Sequence, residues 1–147
     1  MDDVTALCEA ECRDLLETDC VGRVAFVTPW GPRIVPVNYA VAGCAIEWCT
    51  APVTEVAVYA PGREVAFEVD NLDGERRRGW SVVAHGVCER VDDRDRAALV
   101  GPRRGPEPWA GGDRRVLLRL AWHELTGRRV GGLHWPHPVV SGRARPY

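Results

Sequence analysis

The spacing of three strand-like runs between residues 21 and 50 restricts the fold more than any other feature of this sequence. The first run covers 21–28 and is rich in valine, and Trp30-Gly31-Pro32 then supplies a tight turn before a second run over 33–41. Ala42-Gly43 makes another short connection into a third run over 44–50. Parallel strands need a crossover of a dozen or more residues, so connections this short predict an antiparallel meander.

The other segments predict more strands and a few short helices. They are, in chain order, an amphipathic helix over 3–18, a short helix over 52–60 with Thr54 at its N-cap, a strand over 63–70, a loop over 71–74, a long strand over 80–91 with a bulge or bend at Gly86, a helix over 92–100, a loop over 101–113, and two strands over 116–120 and 125–130. Such strands and tight turns predict a mainly β fold, a small antiparallel β-barrel with Greek-key wiring and short helices. We expect one domain over 1–131 and a Pro-rich tail or arm over 132–147.

The choice of basic residue excludes two kinds of catalytic site. All 19 basic side chains are arginines, and the chain has no lysine. A Schiff-base lysine is therefore excluded, and with it covalent pyridoxal phosphate chemistry, as is a Walker phosphate-binding loop, whose motif includes a lysine. The arginines are scattered rather than interleaved with exposed aromatic residues, so we expect no nucleic-acid partner.

The apolar segments and the cysteines indicate a compartment. No apolar run approaches the roughly 18 residues of a membrane helix, and the first 20 residues carry mostly acidic charges, unlike a secretory or mitochondrial leader. We therefore expect a soluble cytoplasmic protein with no membrane partner. The six cysteines contain no Cys-x-x-Cys pair, which disfavours a zinc ribbon or a thioredoxin-like site, and we expect buried thiols at Cys44, Cys49 and Cys88.

No self-standing catalytic signature occurs in the sequence. Gly-x-Ser-x-Gly and His-Glu-x-x-His are both missing. His85 suits either a general base or a structural role beside a bend. His134 and His137 have the spacing of metal ligands but lie in a Pro-rich segment that suits solvent as well, and we predict no metal site.

Three ordered segments carry a resemblance to a known family. They are Arg33-Ile34-Val35-Pro36-Val37-Asn38-Tyr39, Cys49-Thr50-Ala51-Pro52-Val53-Thr54 and Arg78-Gly79-Trp80-Ser81-Val82. In order and spacing they resemble the pyridoxamine 5′-phosphate oxidase-like family of flavin-binding split barrels, in its short bacterial branch. Further matches at 21–23, 66–70, 108–111 and 125–130 extend the resemblance over residues 5–130.

The resemblance implies a homodimer of split barrels with two flavin sites, each built at the subunit interface. It implies that the cofactor-binding residues are Arg33, Val35, Pro36, Val37, Asn38, Cys49, Thr50, Thr54, Trp80, Ser81 and Trp109. Arg128 is a further candidate for a cofactor contact.

The resemblance also assigns roles within that set. The strand that begins at Arg33 would lie along the flavin ring and offer backbone hydrogen bonds to it, while Arg33 reaches the phosphate. The segment with Cys49, Thr50 and Thr54 would surround that phosphate, because hydroxyls and unpaired N–H groups at a helix start favour an anion. Ser81 would contact the ring.

One position departs from the family pattern. Members carry a basic residue immediately after the matched threonine, whereas this chain has Glu55. A solvated carboxylate beside a phosphate dianion opposes binding by about 1 kcal/mol. Either Glu55 turns away and Arg33 or the arginines at 76–78 supply the positive charge, or flavin affinity is reduced, or the site takes another ligand.

The function that the resemblance implies is an FMN-dependent oxidoreductase, which transfers electrons between a reduced donor and a small organic acceptor or oxygen. The flavin supplies the chemistry, which agrees with the lack of a catalytic motif. One alternative is a reductase on the same fold that uses the deazaflavin coenzyme F-420, whose polyglutamate tail suits the arginines at 76–78. Another is a non-catalytic flavin- or haem-binding protein. Pyridoxamine phosphate oxidase activity itself is not expected, because no second phosphate site is recognisable.

Overall fold

Nine elements of secondary structure build the part of the chain that the computed structural model describes, residues 4–92, 111 and 116–131. They are β1 (Val4–Leu7), α1 (Glu9–Leu16), β2 (Val21–Thr28), β3 (Gly31–Val41), β4 (Ala45–Thr50), α2 (Glu55–Tyr59), β5 (Glu64–Asp73), β6 (Arg78–Val91) and β7 (Val116–Val130). None of the helices among these residues is long and apolar enough to span a bilayer.

Six of the strands close into an antiparallel barrel, in the order β7-β4-β3-β2-β5-β6, with β6 pairing again to β7. β1 pairs with the C-terminal end of β7, at residues 127–130. The predicted meander of β2, β3 and β4 is confirmed, as is the mainly β split-barrel fold. The predicted bulge is confirmed too, because the β6–β7 register shifts between His85 and Gly86.

The core lies inside the barrel and follows from the alternation of the strands. In β2 the even positions Val24 and Phe26 are buried while their neighbours are more exposed, the period of a strand with one buried face. Trp48 and Phe67 are the largest fully buried side chains. The hydroxyl of buried Tyr39 donates a 2.6 Å hydrogen bond to the carbonyl oxygen of Leu16, which ties α1 to the barrel.

The barrel wall opens between β3 and β4. Only residues 39–41 of β3 pair with β4, whereas residues 31–38 pair with β2 on their other side. Along 31–37, the second edge of β3 therefore has no partner strand among the described residues. We call this opening the split; it is bordered by β3, the end of β4 and α2.

Several predicted boundaries are wrong. The N-terminal segment is a strand followed by a helix rather than one helix, because β-branched residues at its start pair with β7 and the helix begins only after its cap at Cys8. The predicted loop over 71–74 is mostly strand, and the two last strands are one continuous β7. These strands are longer than predicted because their end residues pair with a neighbouring strand, and the local sequence does not reveal that strand.

Two of the three cysteines predicted as buried are not. Cys88 is buried, but Cys44 is exposed because it precedes β4 in a bend, and Cys49 is partly exposed at the end of β4. The predictions for the helix over 92–100, the loop over 101–113, Trp109 and the tail lie outside the described residues, apart from Asp92 and Gly111.

Candidate functional site

In β3, the backbone N–H and carbonyl groups of every second residue point toward the split. Tyr39 N–H donates a 2.9 Å hydrogen bond to Cys20 O on the β2 side, so the odd-numbered residues of β3 bond to β2 and the even-numbered ones face away. Pro32 and Pro36 occupy even positions, where a missing N–H costs no ladder bond. Between them, Ile34 has both an N–H and a carbonyl on the open edge.

This arrangement refines the prediction for β3. The backbones of Val35 and Val37 bond to β2, so their contribution at the split comes from half-buried side chains that pack against the core. Ile34 has an N–H and a carbonyl on the open edge that could make the backbone hydrogen bonds predicted for this strand, and it is missing from the predicted site residues. The alternation of the two prolines is the signal that identifies it.

Arg33 lies on the inward-facing row of β3, opposite buried Phe26. Because β4 does not cover this part of β3, the guanidinium emerges at the split with its side chain 39% exposed. Its Nη1 donates to Pro32 O at 3.2 Å. Within the described residues, Nη2 has no hydrogen-bond or ion-pair partner.

Glu55 does not turn away from the split. Its carboxylate Oε2 lies 3.4 Å from Nε of Arg33, so the departing acid and the predicted phosphate-binding base form an ion pair between α2 and β3. A second contact nearby joins α2 to the turn between β2 and β3, because the ring of Trp30 packs edge-on against Tyr59 with centroids 5.8 Å apart. The β2–β3 hairpin is thereby held against α2.

Thr54 caps α2 as predicted, and its hydroxyl is fully used in doing so. It accepts a hydrogen bond from Ala57 N–H at 3.3 Å and donates one to Ala51 O at 2.9 Å. Since its single hydrogen is committed, the 2.8 Å bond to Thr50 has Thr50 as donor. A phosphate contact from Thr54 would therefore require the loss of the bond to Ala51.

We expect Thr54→Ala to lower the free energy of unfolding by about 1–2 kcal/mol, because α2 loses its cap and the hydroxyl of buried Thr50 loses its acceptor. Thr54→Ser keeps both hydrogen bonds and is expected to stay near the wild type. Urea denaturation of the two variants measures the difference. Equal losses for alanine and serine would mean that the methyl group, not the hydroxyl, matters.

A cavity lies on the outer face of the barrel, across β5, β6 and β7. It has a volume of about 350 Å³, and its lining includes Glu68, Asp70, Ser81 and Arg128. Ser81 stands directly between Asp70 and Arg128 in the sheet register. Trp80 also borders this cavity but is 3% exposed and belongs to the core, so little of its surface is available for the predicted cofactor contact.

The acids of this outer cavity are linked to Arg23. Arg23 Nη1 donates to Glu68 at 2.8 Å, and its Nη2 lies 3.5 Å from Asp70. Burial raises the pKa of Glu68, and the negative charge of Asp70 raises it further, while Arg23 opposes both. Sequence reasoning missed this group, whose signal is the alternation of charged residues along β5.

The predicted cofactor residues thus form two groups within one chain. Arg33, the rest of the β3 segment, partly exposed Cys49, Thr50 and Thr54 border the split. Ser81 is three strands away from β3, roughly 14 Å along the sheet at about 4.8 Å per strand. The two residues also differ in their position along the strands. Ser81 is level with the start of β2, whereas Arg33 is level with a residue near the end of β2.

The arginines at 76–78 lie at the far end of the barrel from Arg33. Arg76 pairs with Asp73 at 3.1 Å and also donates its backbone N–H to that carboxylate, which lowers the pKa of Asp73. Arg33 lies opposite Phe26 in the sheet. Measured along the strands, at about 3.3 Å per residue, Asp73 is roughly 25 Å away from that level. Within one chain they therefore do not neutralise an anion beside Arg33.

Comparison with known proteins identifies the family. The family model described as pyridoxamine 5′-phosphate oxidase matches residues 8–129. An uncharacterised protein of Mycobacterium tuberculosis is 32% identical over 133 residues, which cover 87% of this chain and 86% of the relative.

Solved structures agree in fold over nearly their whole length. A proposed pyridoxamine 5′-phosphate oxidase of Corynebacterium glutamicum is 30% identical with a TM-score of 0.73, and an FAD-binding protein of Mycobacterium smegmatis is 29% identical with a TM-score of 0.67. Each alignment covers 86% of this chain and 98% of the other. The match of the family model to most of the chain, together with the split barrel, shows that this protein belongs to the pyridoxamine 5′-phosphate oxidase family.

Proposed function

We propose that the protein is a flavin-dependent oxidoreductase that holds FMN noncovalently at the split. It would transfer electrons between a reduced donor and a small organic acceptor or oxygen. The observation that carries this proposal is the unpaired edge of β3, with an arginine at one end and half-buried valines along its inward face. We also place the protein in the cytoplasm, as the sequence predicts.

The residues at the split suit a flavin in three respects. The apolar side chains of Val35 and Val37 offer a surface for a flat ring, and the open N–H and carbonyl of Ile34 match the alternating acceptors and donor on the pyrimidine edge of a flavin. Arg33 keeps one guanidinium nitrogen for a phosphate oxygen. The flavin supplies the redox chemistry when bound, and the protein supplies binding, orientation and electrostatics.

We propose a homodimer because one chain does not bring the predicted site residues together. The split carries one group, and Ser81 with Arg128 lies on the outer face, three strands away. The outer face also exposes apolar side chains near Arg33, with Val27 54% and Ile34 69% exposed. A second copy packed on this face would cover them and add its own outer-face residues to the split.

The proposal also has support from relatives. The Mycobacterium smegmatis protein, 29% identical, is described as binding FAD, so FAD joins FMN as a cofactor to be tested. The alternatives are a reductase on the same fold that uses the deazaflavin coenzyme F-420, and a non-catalytic flavin- or haem-binding protein.

The first test is the visible spectrum of the purified protein, followed by heat release and mass spectrometry of the supernatant. We expect the two absorption bands of an oxidised flavin and released FMN or FAD, and light scattering should give the mass of a dimer. A colourless protein that takes up neither flavin would overturn the proposal. Anaerobic titration with coenzyme F-420 then decides between the deazaflavin reductase and a protein without a cofactor.

A further inference from the structure

The predicted phosphate-binding base at the split already has an anionic partner. The carboxylate of Glu55 lies 3.4 Å from Nε of Arg33, and both side chains are partly exposed, at 47% and 39%. The elements that carry this pair are held together nearby, because Trp30 packs against Tyr59 of α2. A phosphate that binds Arg33 therefore has to share the guanidinium group with a carboxylate.

The threonine hydroxyls at the split are also in use. Thr54 donates its hydrogen to Ala51 O at 2.9 Å, and Thr50 donates its own to Thr54 at 2.8 Å. A hydroxyl has a single hydrogen, so neither threonine donates to a phosphate unless one of these bonds breaks. Because Thr50 is buried, the loss of its acceptor costs free energy that offsets the gain from the new bond.

The net charge that one chain offers at the split is near zero. The charges of Arg33 and Glu55 cancel. Arg23 is paired on the outer face, and the arginines at 76–78 lie at the far end of the barrel. The features that suit a flavin ring do not depend on this charge, because they are the apolar side chains along β3 and its open backbone edge. The split therefore offers more to the ring of a flavin than to its phosphate.

We propose that the split recognises a flavin through its ring, and that Glu55 is the specificity-determining residue that limits the contribution of the phosphate. The inference rests on the proposed flavin site and names the ligands that this site accepts. Riboflavin, which has no phosphate, binds within about tenfold of FMN, because a partly exposed and shared ion pair adds little affinity. FMN and FAD each carry about two negative charges on their phosphate groups at pH 7, so Glu55 acts on both alike.

The size of the effect follows from the charges. A phosphate of charge about −2 that contacts Arg33 lies roughly 6 Å from the Glu55 carboxylate, and in a water-like dielectric their repulsion lowers the affinity about tenfold. Screening at physiological ionic strength reduces this factor to about threefold. We therefore expect Glu55→Gln to tighten FMN by about three- to tenfold, with the larger gain at low salt, and to leave riboflavin unchanged.

The test is a fluorescence titration of the wild-type apoprotein and three variants with riboflavin, FMN and FAD. Glu55→Gln removes the charge, Glu55→Asp keeps it at the same position, and Glu89→Gln removes the same charge from an exposed residue of β6. The affinity ratio of FMN to riboflavin should be at most about ten in the wild type and should rise about three- to tenfold in Glu55→Gln. It should stay near the wild-type ratio in the other two variants, and FAD should follow FMN throughout.

The outcomes separate this inference from the function on which it rests. If none of the three flavins binds the wild type, the flavin site itself fails. If FMN binds and riboflavin binds more than about tenfold more weakly, the phosphate carries the affinity and recognition through the ring is refuted. If the wild-type ratio is small but Glu55→Gln leaves it unchanged, the role of Glu55 is refuted. Thermal denaturation identifies any variant whose affinity falls because it unfolds.

Discussion

Replacing Phe67 with alanine is expected to lower the free energy of unfolding by about 3–5 kcal/mol, a large share of the stability of a domain this size. Phe67 is fully buried at the centre of β5, and its ring packs edge-on against Tyr39 with centroids 4.8 Å apart. Both neighbouring strands fix its position, so the space left by the ring closes only in part. Urea denaturation measures the loss, with Leu72→Ala, an exposed apolar residue of the same strand, as the control.

Gly22 provides the matched test of this packing. A Cβ at Gly22 would overlap the ring of Phe67, so Gly22→Ala in the wild type is expected to cost about 1–3 kcal/mol. In the Phe67→Ala background the overlap with the ring is gone and the cost should fall by about 1 kcal/mol, while part of it stays because the added Cβ also lies 2.9 Å from the carbonyl oxygen of Glu68. Additive losses in the double variant would contradict the contact between these two positions.

The fold follows from the sequence where connections are short. The two turns around β3 leave antiparallel pairing as the only option, and the interruption at Gly86 predicts the bulge of β6. The strand at Val4–Leu7 and the full length of β7 were missed for one reason. Each is set by its partner strand. The partners lie 120 or more positions away for Val4–Leu7 and 26 to 51 positions away for β7 on β6, so no local pattern contains the pairing.

The candidate site could be predicted only in part. The resemblance to the family singles out Arg33, Thr54 and Glu55, but it does not show that Glu55 pairs with Arg33 or that the Thr54 hydroxyl is committed to capping α2. Side-chain partners across the split depend on how far the barrel wall opens. The separation of Ser81 from Arg33 likewise appears only with the strand order, and it is the main argument for a second subunit.

Reversing the charge of Arg33 is expected to have the largest effect on ligand binding. Arg33→Glu removes the cation at the split and places a second carboxylate beside Glu55, so we expect FMN to bind at least about 100-fold more weakly, a change of about 2.7 kcal/mol. Arg33→Gln removes the attraction without adding repulsion, and its loss should be about tenfold. The measurement is a titration of each apoprotein with FMN, followed by flavin fluorescence.

Riboflavin and a second arginine give this prediction its control. Riboflavin lacks the phosphate, so its affinity should change less than about threefold in either Arg33 variant if the arginine acts on the phosphate alone. Arg90→Glu makes the same change in net charge at an exposed position of β6 and should leave FMN affinity unchanged. If riboflavin and FMN weaken in parallel, Arg33 shapes the split through its ion pair with Glu55, and the phosphate is held by other groups.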